Sequence, residues 1–193
     1  MKKNSSIVLG FLLLVLMASL YRIMPGRPYG FAPQIAMALF AGSIIKDKKY
    51  AFLLPLFSML FSDVLYEVLF QFKVSSMPGF YGGQLSNYIL FIALTVVGFK
   101  IKQTNPIQII AGSLIGATLY FILSNLLVWA GSGLDINNIP YPKNLSGLLT
   151  CYAAAIPFYK MSIYATLFFN AILFGGYYLI NSFYIQKPVL AKI

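Results

Sequence analysis

Two carboxylates lie inside an apolar run that is long enough to cross a bilayer. Asp63 and Glu67 belong to residues 50–72, and the whole chain has only four acidic residues. A charged side chain inside a membrane costs on the order of 3 kcal/mol even on lenient insertion scales, so it persists only where a partner, a ligand or water meets it. A spacing of four residues places both on one helix face. The pair could bind a cation, couple to protons or hydrogen-bond a polar ligand.

A structural interpretation of the same pair stays open. Both residues lie C-terminal to the middle of their run, which places them nearer one membrane surface than the bilayer centre. Near that surface the carboxylates would pair with Arg22 or Arg27, which lie beside or within the loop at residues 25–30. Arg27 fits both interpretations, because a guanidinium can balance a carboxylate or contact a ligand.

Other polar and aromatic side chains occur in later apolar runs. Asn125 lies one turn before Trp129, and an amide in hydrocarbon needs a partner, which is a neighbouring helix or a substrate. Trp129 near the end of a run also fits the aromatic belt of a membrane interface. A pocket of aromatic and polar groups is typical of a small-molecule site. The predicted ligand-binding residues are Asp63, Glu67, Asn125, Trp129, Tyr66, Tyr152 and Arg27.

The composition indicates an integral membrane protein. The chain is 60% hydrophobic and 9% charged, whereas a soluble domain has about 25% charged residues. The net charge of +10 comes from short basic clusters between apolar runs, which are typical of topology signals and not of nucleic-acid binding. No linker divides residues 1–193, so we predict a single transmembrane domain, with the lipid bilayer as its surroundings.

Catalytic chemistry has little support in the residue types. The chain has one cysteine and no histidine, which excludes an internal disulfide and makes zinc sites and Ser-His-Asp triads implausible. We therefore predict no enzyme, no cofactor and no metal site. A membrane enzyme using two carboxylates as acid and base is the least favoured alternative, because no nucleophile accompanies them.

Six apolar runs predict an all-α protein with about six transmembrane helices. The second run has only fifteen residues, which indicates a short, tilted or re-entrant segment. The first run follows a basic start and could be a signal peptide, but its length and the lack of a cleavage signal favour a span. The runs are residues 7–24, 31–45, 50–72, 85–101, 107–130 and 161–184.

A weaker stretch at residues 145–158 is either an outer interfacial helix or a seventh span. With six spans and both termini cytoplasmic, nine basic residues lie inside and five outside, whereas seven spans give eight and six. The positive-inside rule favours six. We therefore predict an interfacial helix near 145–158 that ends at Pro157.

Small residues recur at four-residue spacing in the second run. Ala32, Ala36, Ala38 and Gly42 would let helix backbones approach closely. We predict that they pack against a partner helix, with packing inside the chain as the alternative.

Several local motifs resemble an uncharacterised family of bacterial six-span proteins. That family in turn is similar to the substrate-binding S components of energy-coupling factor transporters. The second resemblance implies an S-component-like bundle with an outward-opening pocket, a small-molecule substrate, and coupling to a transmembrane T protein and cytosolic ATPases. The motifs are residues 27–42, Pro55, Ser62-Asp63, Ser124-Asn125 with Trp129, Tyr141-Pro142, Gly147-Leu148, Cys151-Tyr152 and Ile156-Pro157-Phe158.

These observations predict a substrate-capture subunit of a micronutrient or vitamin uptake transporter, which binds a small molecule from the outer face. The alternative is a non-enzymatic structural or assembly subunit of a larger inner-membrane complex. In that case residues 131–160 would contact a periplasmic protein, and Asp63 and Glu67 would form internal or partner contacts.

Overall fold

A computed structural model describes residues 2–185 of the chain, with side chains described for residues 10–182. This part of the chain is all helical and has no β-strand, which confirms the predicted all-α class. The predicted cytoplasmic C-terminus, within residues 186–193, lies outside the described residues. The six helices are α1 (Lys2–Ile23), α2 (Gln34–Ile44), α3 (Lys48–Gln71), α4 (Gln84–Gly98), α5 (Pro106–Ala130) and α6 (Leu145–Ile185).

Among the described residues, three helices are long and apolar enough to cross a membrane: α3, α5 and α6. This agrees with a membrane protein but gives fewer full spans than the six predicted. The helices α2 and α4 have 11 and 15 residues. At about 1.5 Å per residue, α2 covers only about half of a hydrocarbon core about 30 Å thick. The second segment is therefore short, as its sequence predicted.

The prediction of a separate interfacial helix at 145–158 is wrong. Pro157 lies inside α6, which runs without interruption for 41 residues. Proline removes one backbone donor, and packing against a neighbouring helix can keep the segment helical despite that loss. The neighbour here is α5, since Phe121 contacts Tyr152 on one side of the proline and Tyr159 on the other, with ring centroids 5.4 and 4.4 Å apart.

Local sequence explains where several helices begin. Asp47 precedes α3 and its carboxylate accepts a hydrogen bond from the Lys49 amide, 3.0 Å away. Asn105 caps α5 in the same way, and Pro106 occupies the first helical position, where no intrahelical donor is needed. These caps fix the residues at which α3 and α5 begin, so the connections that precede the two helices are short.

The short helix α2 lies at the centre of the bundle. It packs against α3, α4, α5 and α6, while α1 packs mainly on α3. Residues 34–42 are buried on every side, as expected for a helix that is apolar all round. Gln34 is the exception in this core, because its amide is strongly polar.

The small residues of the second run pack inside the chain. Ala36 and Ala38 are fully buried, and a Cβ added at Gly42 would lie 2.2 Å from the carbonyl oxygen of Thr95 on α4. The backbones of α2 and α4 therefore touch, and this face is not open to a partner helix. Ala32, which precedes α2, is only partly buried.

The loops gather at two ends of the bundle. Residues 24–33, 72–83 and 131–144 connect helices at one end, here called the loop end. The short connections 45–47 and 99–105 lie at the opposite end, where the Ser43 hydroxyl donates to the carbonyl of Ile101 over 2.8 Å. Two of the loops at the loop end, 24–33 and 72–83, contribute to the cavities described next.

Candidate functional site

Asp63 is the centre of a buried polar network. Its side chain is 1% exposed, forms an ion pair with Arg22 and accepts a hydrogen bond from the amide of Gln84. The Tyr88 hydroxyl donates to the same carboxylate over 2.7 Å. Arg22 lies in the last turn of α1, and Gln84 and Tyr88 lie one turn apart at the start of α4. The carboxylate thus joins α1, α3 and α4.

Glu67 lies on the same face of α3 but has a different role. It is partly exposed, accepts from the Gln71 amide over 2.8 Å and from the backbone amide of Gly79 over 3.1 Å. A Cβ at Gly79 would lie 1.9 Å from the carbonyl oxygen of Asp63, so the loop backbone lies directly on α3. Glu67 holds the loop 72–83 in place.

A cavity of about 330 Å³ lies between this loop and the network. Arg22, Asp63, Tyr66 and Tyr81 contribute to its walls, together with residues 77–79. The Tyr66 hydroxyl donates to the carbonyl of Arg22 over 2.7 Å. This space, here called the loop cavity, has an apolar lining and polar groups that already have protein partners.

A second cavity, of about 180 Å³, lies beside the first and is here called the central cavity. All six helices contribute to it, and Arg22 and Tyr81 line both cavities. Its walls are Arg22, Arg27, Gly30, Ala32, Gln34, Ile35, Met59, Tyr81, Asn87, Phe91, Tyr120 and Ser162.

Gln34 lines the central cavity and carries a buried, unpaired donor. The residue is 3% exposed, and its amide nitrogen has no hydrogen-bond partner in the part of the chain that the structure describes. A buried unsatisfied donor costs about 1–3 kcal/mol. Ser58 Oγ and the amide oxygen of Asn170, an acceptor, also lack a partner among the described residues, but neither residue lines this cavity. Rotation of the Gln34 side chain would turn its amide nitrogen toward the cavity, where an entering group would accept from it.

An aromatic and polar wall faces the same space. The rings of Phe91 and Tyr120 stack with centroids 5.5 Å apart. The Tyr120 hydroxyl donates to the Asn87 side chain over 3.1 Å, and the Asn87 amide donates to the Tyr81 hydroxyl over 2.8 Å. The Ser162 hydroxyl donates to the carbonyl of Gly30 over 3.2 Å. These hydrogen bonds fix the wall and use the donors of Tyr120 and Ser162.

Arg27 is held by backbone carbonyls rather than by an acid. Its Nη1 donates to the carbonyl of Phe31 over 2.8 Å and its Nε to the carbonyl of Arg22 over 3.2 Å. Within residues 10–182 the recorded ion pair is that of Arg22 with Asp63. The positive charge of Arg27 is therefore balanced by no carboxylate in the described region.

The remaining predicted site residues lie where α5 meets α6. The Asn125 amide donates to the carbonyl of Phe121, and the Tyr152 hydroxyl donates to the carbonyl of Ile122, both over 2.7 Å. The Trp129 indole donates to the carbonyl of Pro142 over 2.8 Å. The structure thus brings Asp63, Tyr66 and Arg27 together around the cavities, and places Asn125, Trp129 and Tyr152 in a separate group.

Trp129→Phe is expected to remove one hydrogen bond that holds the 131–144 loop. The loss of stability should be about 1 kcal/mol, with the amount of co-purified small molecules unchanged. Melting in detergent and extraction of the purified protein would measure both quantities. Loss of a bound compound at unchanged melting temperature would instead place Trp129 in the binding site.

Sequence reasoning missed most of the central cavity. Gln34 and Asn87 were not proposed, and Arg22 was considered only as an ion-pair partner. The available signal was a polar amide at the start of each of two short apolar runs, Gln34 and Gln84. Such positions also fit an ordinary helix terminus, so their burial had to come from the structure.

These features define a helical membrane protein with a buried central helix and, at one end, a cavity lined by polar and apolar side chains. The chain belongs to the family of unknown function DUF6580, which it matches over residues 2–190. No curated protein and no solved structure matches the chain. The predicted membership of a family without an assigned function is thereby confirmed, whereas the similarity to S components stays a prediction from the sequence.

Proposed function

We propose that this protein is a non-enzymatic substrate-capture protein of the membrane, which holds a small molecule in the central cavity. The supporting observation is Gln34, which lines a cavity that all six helices form and whose amide nitrogen is a buried donor without a described partner. Buried polar groups in native proteins are nearly always hydrogen-bonded, and an exception calls for a ligand or an ordered water.

The size of the cavity limits the ligand. A volume of about 180 Å³ corresponds to roughly six water molecules at about 30 Å³ each. Pockets for drug-sized ligands occupy about 300–1,000 Å³. The compound captured in this conformation is therefore small, and a larger one would also occupy the adjoining loop cavity past Tyr81 and Arg22.

The distribution of lysines supports an outward-facing site. The opposite end of the bundle carries Lys46, Lys48, Lys49, Lys100 and Lys102 within or beside its short connections. Under the positive-inside rule this end faces the cytoplasm, and the loop end with its cavities faces outward from the bacterial inner membrane. Capture from outside is the direction that uptake requires.

Coupling to a transmembrane T protein and cytosolic ATPases is the second half of the proposal. It rests on the sequence resemblance to S components alone. Because Ala36, Ala38 and Gly42 are buried inside the chain, a docking surface for a T protein would have to lie elsewhere. Affinity purification from the native host, with identification of co-eluting proteins, tests this half independently of the cavity.

Gln34→Leu tests the capture proposal directly. Leucine is similar in size and removes an unpaired donor, so the variant should keep or raise the melting temperature. The bound small molecule should be lost, because it would no longer find the amide. Mass spectrometry of extracts from purified wild-type and variant protein measures the ligand, and thermal melting in detergent measures stability.

The matched control is Gln71→Leu, the same substitution at an exposed position whose side-chain amide donates to Glu67 on α3. It should retain the ligand. If Gln34→Leu destabilises the protein and retains every compound that the wild type carries, the amide is a structural group and the capture proposal fails.

A second candidate function is a structural or assembly subunit of a larger membrane complex. The length of α6 favours it, since 41 residues extend about 61 Å, twice the thickness of the hydrocarbon core. Leu145 and Leu149 near its start are 71% and 60% exposed. Co-purification of an unrelated membrane assembly, without a retained compound, would support this function over capture.

A further inference from the structure

We propose that the central cavity binds a small organic acid, held as its carboxylate by Arg27 and the amide of Gln34, with its apolar body against the Phe91–Tyr120 wall. The inference rests on the proposed capture function and names the chemical class of the ligand.

Charge is the first argument. Two arginines line the central cavity, and within the described part of the chain no carboxylate does. Asp63 balances Arg22 from the adjoining loop cavity, which leaves the charge of Arg27 in excess. Interactions between charges strengthen in the low-dielectric interior of a membrane protein. An anion would restore neutrality in the cavity, whereas a cation would meet a net positive charge.

The geometry of the donors is the second argument. Arg27 uses Nε and Nη1 on backbone carbonyls, which fixes the plane of the guanidinium. A guanidinium offers five donors in a rigid fork that matches a carboxylate, and its Nη2 is not used in these bonds. The Gln34 amide adds donors that have no described partner. Arg27 Nη2 and the rotated Gln34 amide would thus supply the donors that an ionised acid accepts from.

The apolar lining is the third argument. Ile35, Met59 and Phe91 line the cavity beside the ring of Tyr120, which stacks on Phe91. A flat, apolar body would pack against these side chains while its carboxylate reaches the donors. A ligand that is polar throughout, such as a sugar, would leave hydroxyl groups unpaired against this wall.

Benzoate, benzamide and benzylamine form a matched set of probes. They share one ring and carry a negative, a neutral and a positive group at neutral pH. We expect benzoate to bind the purified full-length protein at least about tenfold more tightly than benzamide, and benzylamine not to bind. Isothermal titration in a non-ionic detergent, after removal of retained compounds, measures the three affinities.

Variants at Arg27 test whether its positive charge causes the preference for benzoate over benzamide. Arg27→Gln should remove the preference for benzoate over benzamide, and Arg27→Lys should keep part of it, because an ammonium retains the charge without the fork. The control is Lys73→Gln, which removes one exposed cation from the 72–83 loop. Lys73 lines neither cavity. This variant should leave the affinity for benzoate unchanged.

Equal binding of benzoate and benzamide, stronger binding of benzylamine, or no binding of benzoate up to about 10 mM by folded protein would each overturn the organic-acid inference. Those results leave the capture proposal standing if Gln34→Leu still loses a retained compound. A benzoate preference that persists in Arg27→Gln would also overturn the assignment of Arg27.

Discussion

Asp63→Leu is expected to lower the melting temperature by on the order of 10 °C. Removing one partner of a buried ion pair costs about 3–5 kcal/mol, and a protein of this size loses about 2–4 °C per kcal/mol. The Asp63 side chain is 1% exposed and its partner Arg22 is 15% exposed. The substitution would leave the guanidinium in an apolar setting with no carboxylate to balance it.

A double-mutant cycle separates the ion pair from the rest of the network. Arg22→Met alone should also destabilise, because it leaves the Asp63 carboxylate buried without its cation. The double variant Arg22→Met with Asp63→Leu should recover about half of the summed loss. Full recovery is not expected, since Gln84 and Tyr88 would still lack the carboxylate that they donate to.

Glu67→Leu is the matched control for this cycle. It removes the other carboxylate of the same helix face, which is partly exposed and bonded to Gln71 and the Gly79 amide. Its effect should be about 1 kcal/mol. Strictly additive effects of the Arg22 and Asp63 substitutions, or a control as damaging as Asp63→Leu, would contradict a coupled buried pair.

The sequence predicted the helices because the apolar runs that form them are long and separated by turn residues. Helices α2 to α5 begin and end within about three residues of their predicted runs. Helix α1 begins about five residues before its run, and only α6 begins much earlier than the run that predicted it. The exception has a tertiary cause. Pro157 would end an isolated helix, but packing of Phe121 from α5 on both sides of it keeps α6 continuous. A sequence pattern contains no such contact.

The candidate site could be predicted only in part for a similar reason. Asp63 was found because the cost of a membrane carboxylate is a property of the residue itself. Whether Asn125 lies beside Asp63 depends on the arrangement of the helices, and the structure places it between α5 and α6 instead. Gln34 becomes informative only through the absence of a described partner for its amide, which no property of glutamine alone reveals.

Gly42→Ala is expected to cost about 3 kcal/mol, at the upper end for overpacking by one methyl group. The new Cβ would lie 2.2 Å from the Thr95 carbonyl oxygen and 2.9 Å from the Cα of Gly98. Both contacts are to backbone atoms of α4, so no side-chain rotation relieves them. The two helices would have to separate, and α2 also packs against α3, α5 and α6.

The same substitution at Gly175 of α6 is the control. A Cβ there has no neighbour within 4 Å among the described atoms, and alanine favours helices over glycine by up to about 1 kcal/mol. Gly175→Ala should therefore be neutral or stabilising, which melting of both variants in one detergent would show. Because Gln34 begins the helix that Gly42 nearly ends, Gly42→Ala should also reduce ligand retention. An unchanged melting temperature in Gly42→Ala would mean that α2 and α4 are not in backbone contact.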